Sequence, residues 1–293
     1  MNTLNHKIDF AVIFSVKNAN PNGDPLNGNR PRENYEGKGE VSDVCLKRKI
    51  RNRLQDAGES ILVQSDDRRN DAYLSIKDRV DANKEVQEFA AGKKQNNELF
   101  ARAACEAWID VRSFGQVFAF SAKDKEEKGK GVSVGVRGPV SIHTAFSIDP
   151  IDISSTQITK SVNSETSSKK GSDTMGMKHR VDFGVYTFCG SINTQLAEKT
   201  GFTNEDADKI RQALITLFEN DSSSARPDGS MEVHRVYWWE HNSKLGQYSS
   251  AKVHRSMKIK RKDTLGEEKS IEDMYDITIE PLEGLLYQEY IGN

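Results

Sequence analysis

Apolar and polar positions alternate at the start of the chain. In residues 8–16 (IDFAVIFSV), Ile8, Phe10, Val12 and Phe14 point one way and predict a strand. Residues 17–40 (KNANPNGDPLNGNRPRENYEGKGE) are filled with Pro, Asn and Gly and predict a polar loop. Residues 43–56 (DVCLKRKIRNRLQD) then follow a period of about 3.6. Leu46, Ile50, Leu54 and Ala57 make the apolar stripe, Ser42 or Asp43 opens the helix, and Gly58 lies past its end. At about 100° per residue, Arg48 and Arg51 face away from the stripe. Lys47 flanks it on one side, Lys49 and Arg53 on the other.

Residues 59–115 read as a helical insertion, with Phe100, Ala103, Ala104, Ala107, Trp108 and Val111 at helical spacing. Residues 116–121 predict a short strand and 123–131 (KDKEEKGKG) a charged turn. Residues 132–148 form a β-prone run broken at Gly138-Pro139. The Ser/Thr-rich stretch 152–180 leads into an alternating strand at 181–192, so a protruding β-hairpin arm is expected. Residues 203–219 predict a helix opened by a Thr203/Asp206 capping box, and 231–239 predict a strand. With the insertions removed, the order is strand, helix, strand, strand, helix, strand. The expected class is α+β, the ferredoxin-like or RNA-recognition βαββαβ unit.

Composition narrows the function. The chain has 293 residues, 35% of them hydrophobic, a net charge of -2 and a mean hydropathy of -0.69. Any nucleic-acid surface must therefore come from local clustering of cations. Three scattered cysteines argue against a disulfide framework or zinc site and fit a reducing cytoplasm. No signal-like start and no membrane-length apolar run are visible, so a soluble, cytoplasmic protein without membrane contact is expected. Six histidines show no HExxH, the Gly-rich stretch at 129–137 lacks a P-loop ending, and GxSxG is missing. A non-enzyme without metal or cofactor is expected.

Seven short motifs occur in order: NPNGDP (20–25), SDVCLKRKIR (42–51), DVRSFGQVF (110–118), VRGPVSI (136–142), TMGMKH (174–179), DFGVY (182–186) and LFENDSSSARPDGSM (217–231). Together they resemble the backbone subunit of type I CRISPR Cascade complexes, the seventh Cas family, most like subtype I-C. The resemblance implies a modified RNA-recognition palm (1–58, 132–151 and 181–293), a helical finger insertion (59–131) and a β-hairpin thumb insertion (152–180). It also implies copies stacked head to tail on CRISPR RNA, guide bases offered to target DNA, and large, small and guide-processing endoribonuclease subunits as partners. Two departures stand out. The family's TMG is more often followed by a basic residue, where this chain has Met177, and its PYG is replaced by Asp182-Phe183-Gly184.

On that resemblance, Asn20, Asn22 and Gly23 of the loop and Lys47, Arg48 and Arg51 of the helix would hold guide phosphates. Met175 and Met177, with Lys178 and His179 beside them, would wedge between bases. The residue chemistry leaves alternatives open. The cationic helix suits a polyanion, with side chains three and four residues apart, or is a solvated face. The methionines suit a sequence-tolerant wedge or pack on their own sheet. Ser141 and His143 can meet a base or serve structure, and Arg112 can reach RNA or pair with Asp110 or another acid. The run 244–262, with seven Lys or Arg, reads as a strand with one cationic face, for DNA or as a protected edge. Asp24 carries the competing reading of target-RNA cleavage, and a generic single-strand-binding module is the other.

Overall fold

The computed structural model describes residues 2–90, 95–120, 132–159, 175–263 and 270–292. The first strand, β1 (Ile8–Ala19), runs longer than its alternation suggested. Asn18 adopts a positive φ of 54°, which Asn tolerates, and this turns Ala19 back into the same core as Val16. The expected loop is itself partly ordered. It holds the two-residue pair β2 (Gly23–Asp24) and β3 (Arg30–Pro31), then β4 (Lys38–Val41), an edge strand that polarity alone concealed. Next comes α1 (Asp43–Asp56), capped by Ser42, whose Oγ accepts from Cys45 N–H at 3.3 Å. Leu46, Ile50 and Leu54 are buried as expected, whereas Ala57 falls past the helix end and is exposed.

The insertion comprises α2 (Ile76–Ala82), α3 (Lys84–Gln87), α4 (Asn97–Ala107), α5 (Ile109–Phe114) and the hairpin β5 (Gly115–Phe120) with β6 (Val132–Arg137). It has its own core, where Phe100 meets Phe118 edge-on at 5.2 Å and Val134 also packs. The β-prone run is thus divided: 132–137 serves the insertion, while β7 (Val140–Ile142) and β8 (Ala145–Pro150) join the main sheet. The charged turn at 123–131 lies outside the described residues.

The arm begins with β9 (Ile153–Thr159) and returns in β10 (Met175–Ile192). β10 is one strand of 18 residues: Met175–Val181 pairs with β9, and Val181–Ile192 pairs with β1. The arm's base is therefore an extension of a central sheet strand, and its remaining residues 160–174 lie outside the described ones. After α6 (Thr194–Thr200), which periodicity did not reveal, α7 (Asn204–Ile215) carries the expected capping box and stops four residues earlier than expected. Next come β11 (Met231–Glu240), α8 (Ser250–Ser256), β12 (Met257–Arg261), α9 (Ile271–Met274), β13 (Tyr275–Ile279) and β14 (Tyr287–Ile291). The basic run expected as one strand is a helix followed by a strand.

The main sheet is antiparallel in the order β14-β11-β1-β10-β8-β4, with β7 and β9 also on β10. α1 and α7 pack on one face, around Phe10, Phe14, Tyr186 and Phe188. α8, α9 and the β12–β13 hairpin cover part of the other face, around Ala11, Ile13, Val185 and Trp239. β1 is therefore buried on both faces, which fits a central strand better than an alternating one.

Candidate nucleic-acid interface

The loop after β1 is stapled to the start of α1. Asn22 Oδ1 accepts from both the backbone N–H and the hydroxyl of Ser42, each at 2.9 Å. Asn20 Nδ2 donates to Asn29 O at 2.6 Å, and the Asn20 amide donates to Ala225 O at 2.9 Å. Gly23 is there because a Cβ would lie 1.9 Å from Asn29 Oδ1. Much of the polar capacity of Asn20 and Asn22 thus shapes the loop. Asp24 has a local job as well: its Oδ1 accepts from Leu26 N–H at 3.1 Å and lies 3.5 Å from Arg32 Nη2.

The cations of α1 have protein partners. Lys47 pairs with Asp43 at 2.9 Å and Arg48 donates to Val63 O at 2.7 Å. Lys49 is buried against Asp221. Arg51 donates to Asp110 Oδ2 at 3.0 Å, and Arg53 pairs with Asp56 at 2.8 Å. The expectation that Arg51 faces away from the core into solvent is corrected here. It is only 12% exposed, under the insertion, with Phe114 4.9 Å from its guanidinium. The insertion and the 217–230 loop fold over the helix and supply the counter-charges of Arg51 and Lys49.

A cleft of about 310 Å³ remains between the loop, α1 and the 220–226 turn. Arg48, Lys49, Arg68 and Arg226 line it, against Asp67 and Asp221. Arg226 pairs with Asp221 at 3.2 Å, and Arg68 donates to Asn220 O at 2.7 Å. Burial pushes the Arg48 guanidinium pKa below its ordinary value, with Arg51 adding to the effect. Asn52 also lines the cleft, and its buried Oδ1 has no partner. Arg68, Arg226 and Asn52 were not singled out from sequence. The only signal was the Arg-Pro turn within LFENDSSSARPDGSM, which is distant along the chain from α1.

Met175 and Met177 stand on the arm, 62% and 53% exposed, and do not pack on the sheet. The register puts them with His179 on one side of β10 and Lys178 on the other. Ser155 Oγ and His179 Nδ1 share a hydrogen bond of 2.7 Å, and Ser155 Oγ accepts from Arg30 Nη1 at 3.3 Å. The methionine side of the arm therefore looks toward the loop that walls the cleft. Three expected residues lie elsewhere. Arg112 binds Asp206 through two hydrogen bonds of 3.0 and 2.8 Å, tying α5 to α7. Ser141 and His143 are exposed near the other end of the sheet, with the His143 ring 5.4 Å from His254. Partial desolvation of its ring, and after it His254, holds the His143 pKa below its ordinary value.

The family model described as CRISPR-associated protein Cas7 matches residues 6–280. The chain belongs to the Cas7 family. A Cas7 protein of Haloferax volcanii is 26% identical over 239 residues, covering 76% of this chain and 67% of the relative. Among solved structures, a chain of a CRISPR RNA-guided surveillance complex in a pre-nicking state is 16% identical, with a TM-score of 0.48 over 80% of this chain and 75% of that one. Another surveillance-complex chain gives 15% identity and a TM-score of 0.41 over 80% and 68%. The family model carries the assignment. Among the described residues of this Cas7 chain, no group of His, Cys, Asp and Glu is placed to hold a metal ion, and no helix is long and apolar enough to cross a membrane.

Proposed function

We propose that this Cas7-family chain is a non-catalytic backbone subunit of a type I Cascade complex, most like subtype I-C by its motifs. It polymerises head to tail along CRISPR RNA in the cytoplasm and presents guide bases to target DNA in antiviral defence. The large, small and guide-processing endoribonuclease subunits are its further partners. In this reading β1, α1, β7–β8, β10, α7 and β11 are the βαββαβ palm, and the antiparallel order β11-β1-β10-β8 supports that. The insertion is the fingers and the β9–β10 arm the thumb.

The observation that carries the reading is the convergence of cleft and arm. Arg48, Arg68 and Arg226 offer charge for phosphates, and the unpartnered Asn52 Oδ1 suits a ribose 2′-OH donor. The exposed methionines look toward the same loop, ready to wedge between bases of any sequence. Lys47 and His179 remain supporting contacts at the margins of this surface, and Lys178 lies on the other side of the arm. The Asp24 carboxylate is occupied in shaping its turn, which favours a structural role over cleavage.

Assembly on RNA tests the reading. Purified protein is mixed with RNAs of increasing length, and particle mass is measured. The number of copies should grow with RNA length, and Met175→Ala with Met177→Ala should alter the nuclease footprint while leaving the fold intact. A monomer or closed dimer at every RNA length sinks the backbone role in favour of a simple binding module.

A further inference from the structure

We propose that the sheet face opposite α1 and α7 holds a second site, for a single-stranded nucleic acid distinct from the strand in the Asn22–Arg226 cleft. The C-terminal cover leaves part of this face open. Phe146 lies opposite Thr187 in the register and is 38% exposed, and His143 is exposed nearby in sequence, edge-on to His254. Exposed aromatic rings on a sheet are stacking platforms for unpaired bases.

The cover carries charge on its outer side, opposite the side on which Met257 and Ile259 pack toward the sheet. Arg255 on α8 and Lys258 and Lys260 on β12 are exposed, and none forms an ion pair among the described residues. β12 is pinned at both ends. At one end, the preceding helix places His254 against Gly190 O at 3.0 Å and beside His143. At the other, Arg261 pairs with Asp149 at 3.2 Å and Tyr275 donates to the same carboxylate at 2.5 Å. His143 and Asp149 bracket Phe146 in sequence, so the cationic strand runs alongside that ring. Lys258 and Lys260 alternate outward about 6.6 Å apart, close to two axial steps of about 3.4 Å along one nucleic-acid strand.

Acids offset only part of this charge. Across the hairpin Lys258 faces Thr278, and Lys260 faces Asp276, which lies 3.4 Å from Lys262. Glu280 is the remaining carboxylate at an outward position of β13 and its end, opposite the α8–β12 junction. Cations tracking a backbone, with aromatic rings taking bases, bind single strands with little sequence preference. A duplex would leave the rings unused.

The test titrates RNA-loaded assemblies with a labelled oligothymidylate over a salt series. Arg255→Glu, Lys258→Glu and Lys260→Glu together should weaken oligothymidylate binding at least tenfold and flatten its salt slope by about 2, for three contacts at roughly 0.7 each. Phe146→Ala should abolish ultraviolet crosslinking to the base. RNA loading should be unchanged in both variants, which also reports that they fold. Unchanged oligothymidylate affinity in the triple variant, or no binding by the wild type, overturns the proposal. If RNA never loads, the guide reading fails separately, and the same titration on unloaded Arg226→Glu protein still decides the second site.

Discussion

Asp110→Ala tests how the cationic helix is held. Asp110 is fully buried, and its carboxylate accepts from Arg51 Nε at 3.0 Å and from the amides of Leu62 at 2.8 Å and Val63 at 3.1 Å. Truncation strands the Arg51 guanidinium without its counter-ion and leaves two amides without an acceptor. Breaking a buried pair from one side costs about 3–5 kcal/mol. Each orphaned amide adds about 1–3 kcal/mol where water does not reach it. A loss of about 5 kcal/mol is expected, a large part of a typical stability of about 5–15 kcal/mol. Urea unfolding followed by tryptophan fluorescence measures it, since Trp108 sits in the insertion core and Trp238 in the main one. Arg51→Met combined with Asp110→Ala should be less harmful than Asp110→Ala alone, because no buried charge is then stranded. A loss under about 1 kcal/mol for Asp110→Ala, or strict additivity in the cycle, refutes the reasoning and returns Arg51 to the list of free phosphate contacts.

Two further outcomes are expected. Burial raises the Asp9 carboxyl pKa, but hydrogen bonds from His241, His254, Ser250 and Lys7 outweigh it and hold Asp9 well below the usual carboxylate range. A depressed folded value means that its stabilisation is complete above the unfolded pKa of about 3.9 and is lost as pH falls through the folded one. Asp9→Asn should therefore flatten the acid limb of melting temperature against pH below about 4, and an unaltered limb would contradict the network. At Gly190, an added Cβ would lie 2.2 Å from Phe10 Cζ and 2.5 Å from the backbone oxygen of Ser141. Gly190→Ala should cost about 1–3 kcal/mol by overpacking, and a neutral effect in thermal unfolding would show that Phe10 can move aside.

What the amino-acid order determined by itself was local. The alternation of β1, the stripe of α1 and the capping box of α7 depend on neighbours a few residues apart, and all three elements formed where those signals lay. The motif series also pointed to the family. The destination of Lys49, Arg51 and Arg112 was not legible, because their partners lie far away along the chain. Asp110 is 59 residues from Arg51, Asp206 is 94 from Arg112, and Asp221 is 172 from Lys49. The same holds for the cleft, whose Arg226 lies far along the chain from the α1 residues it lines the cleft with. It holds too for the basic run at 244–262, which became helix and strand because Val253, Met257 and Ile259 found an apolar sheet face to cover. Periodicity reports how a segment can bury one side. Which surface receives that side, and which cations remain free afterwards, only the assembled sheet decided.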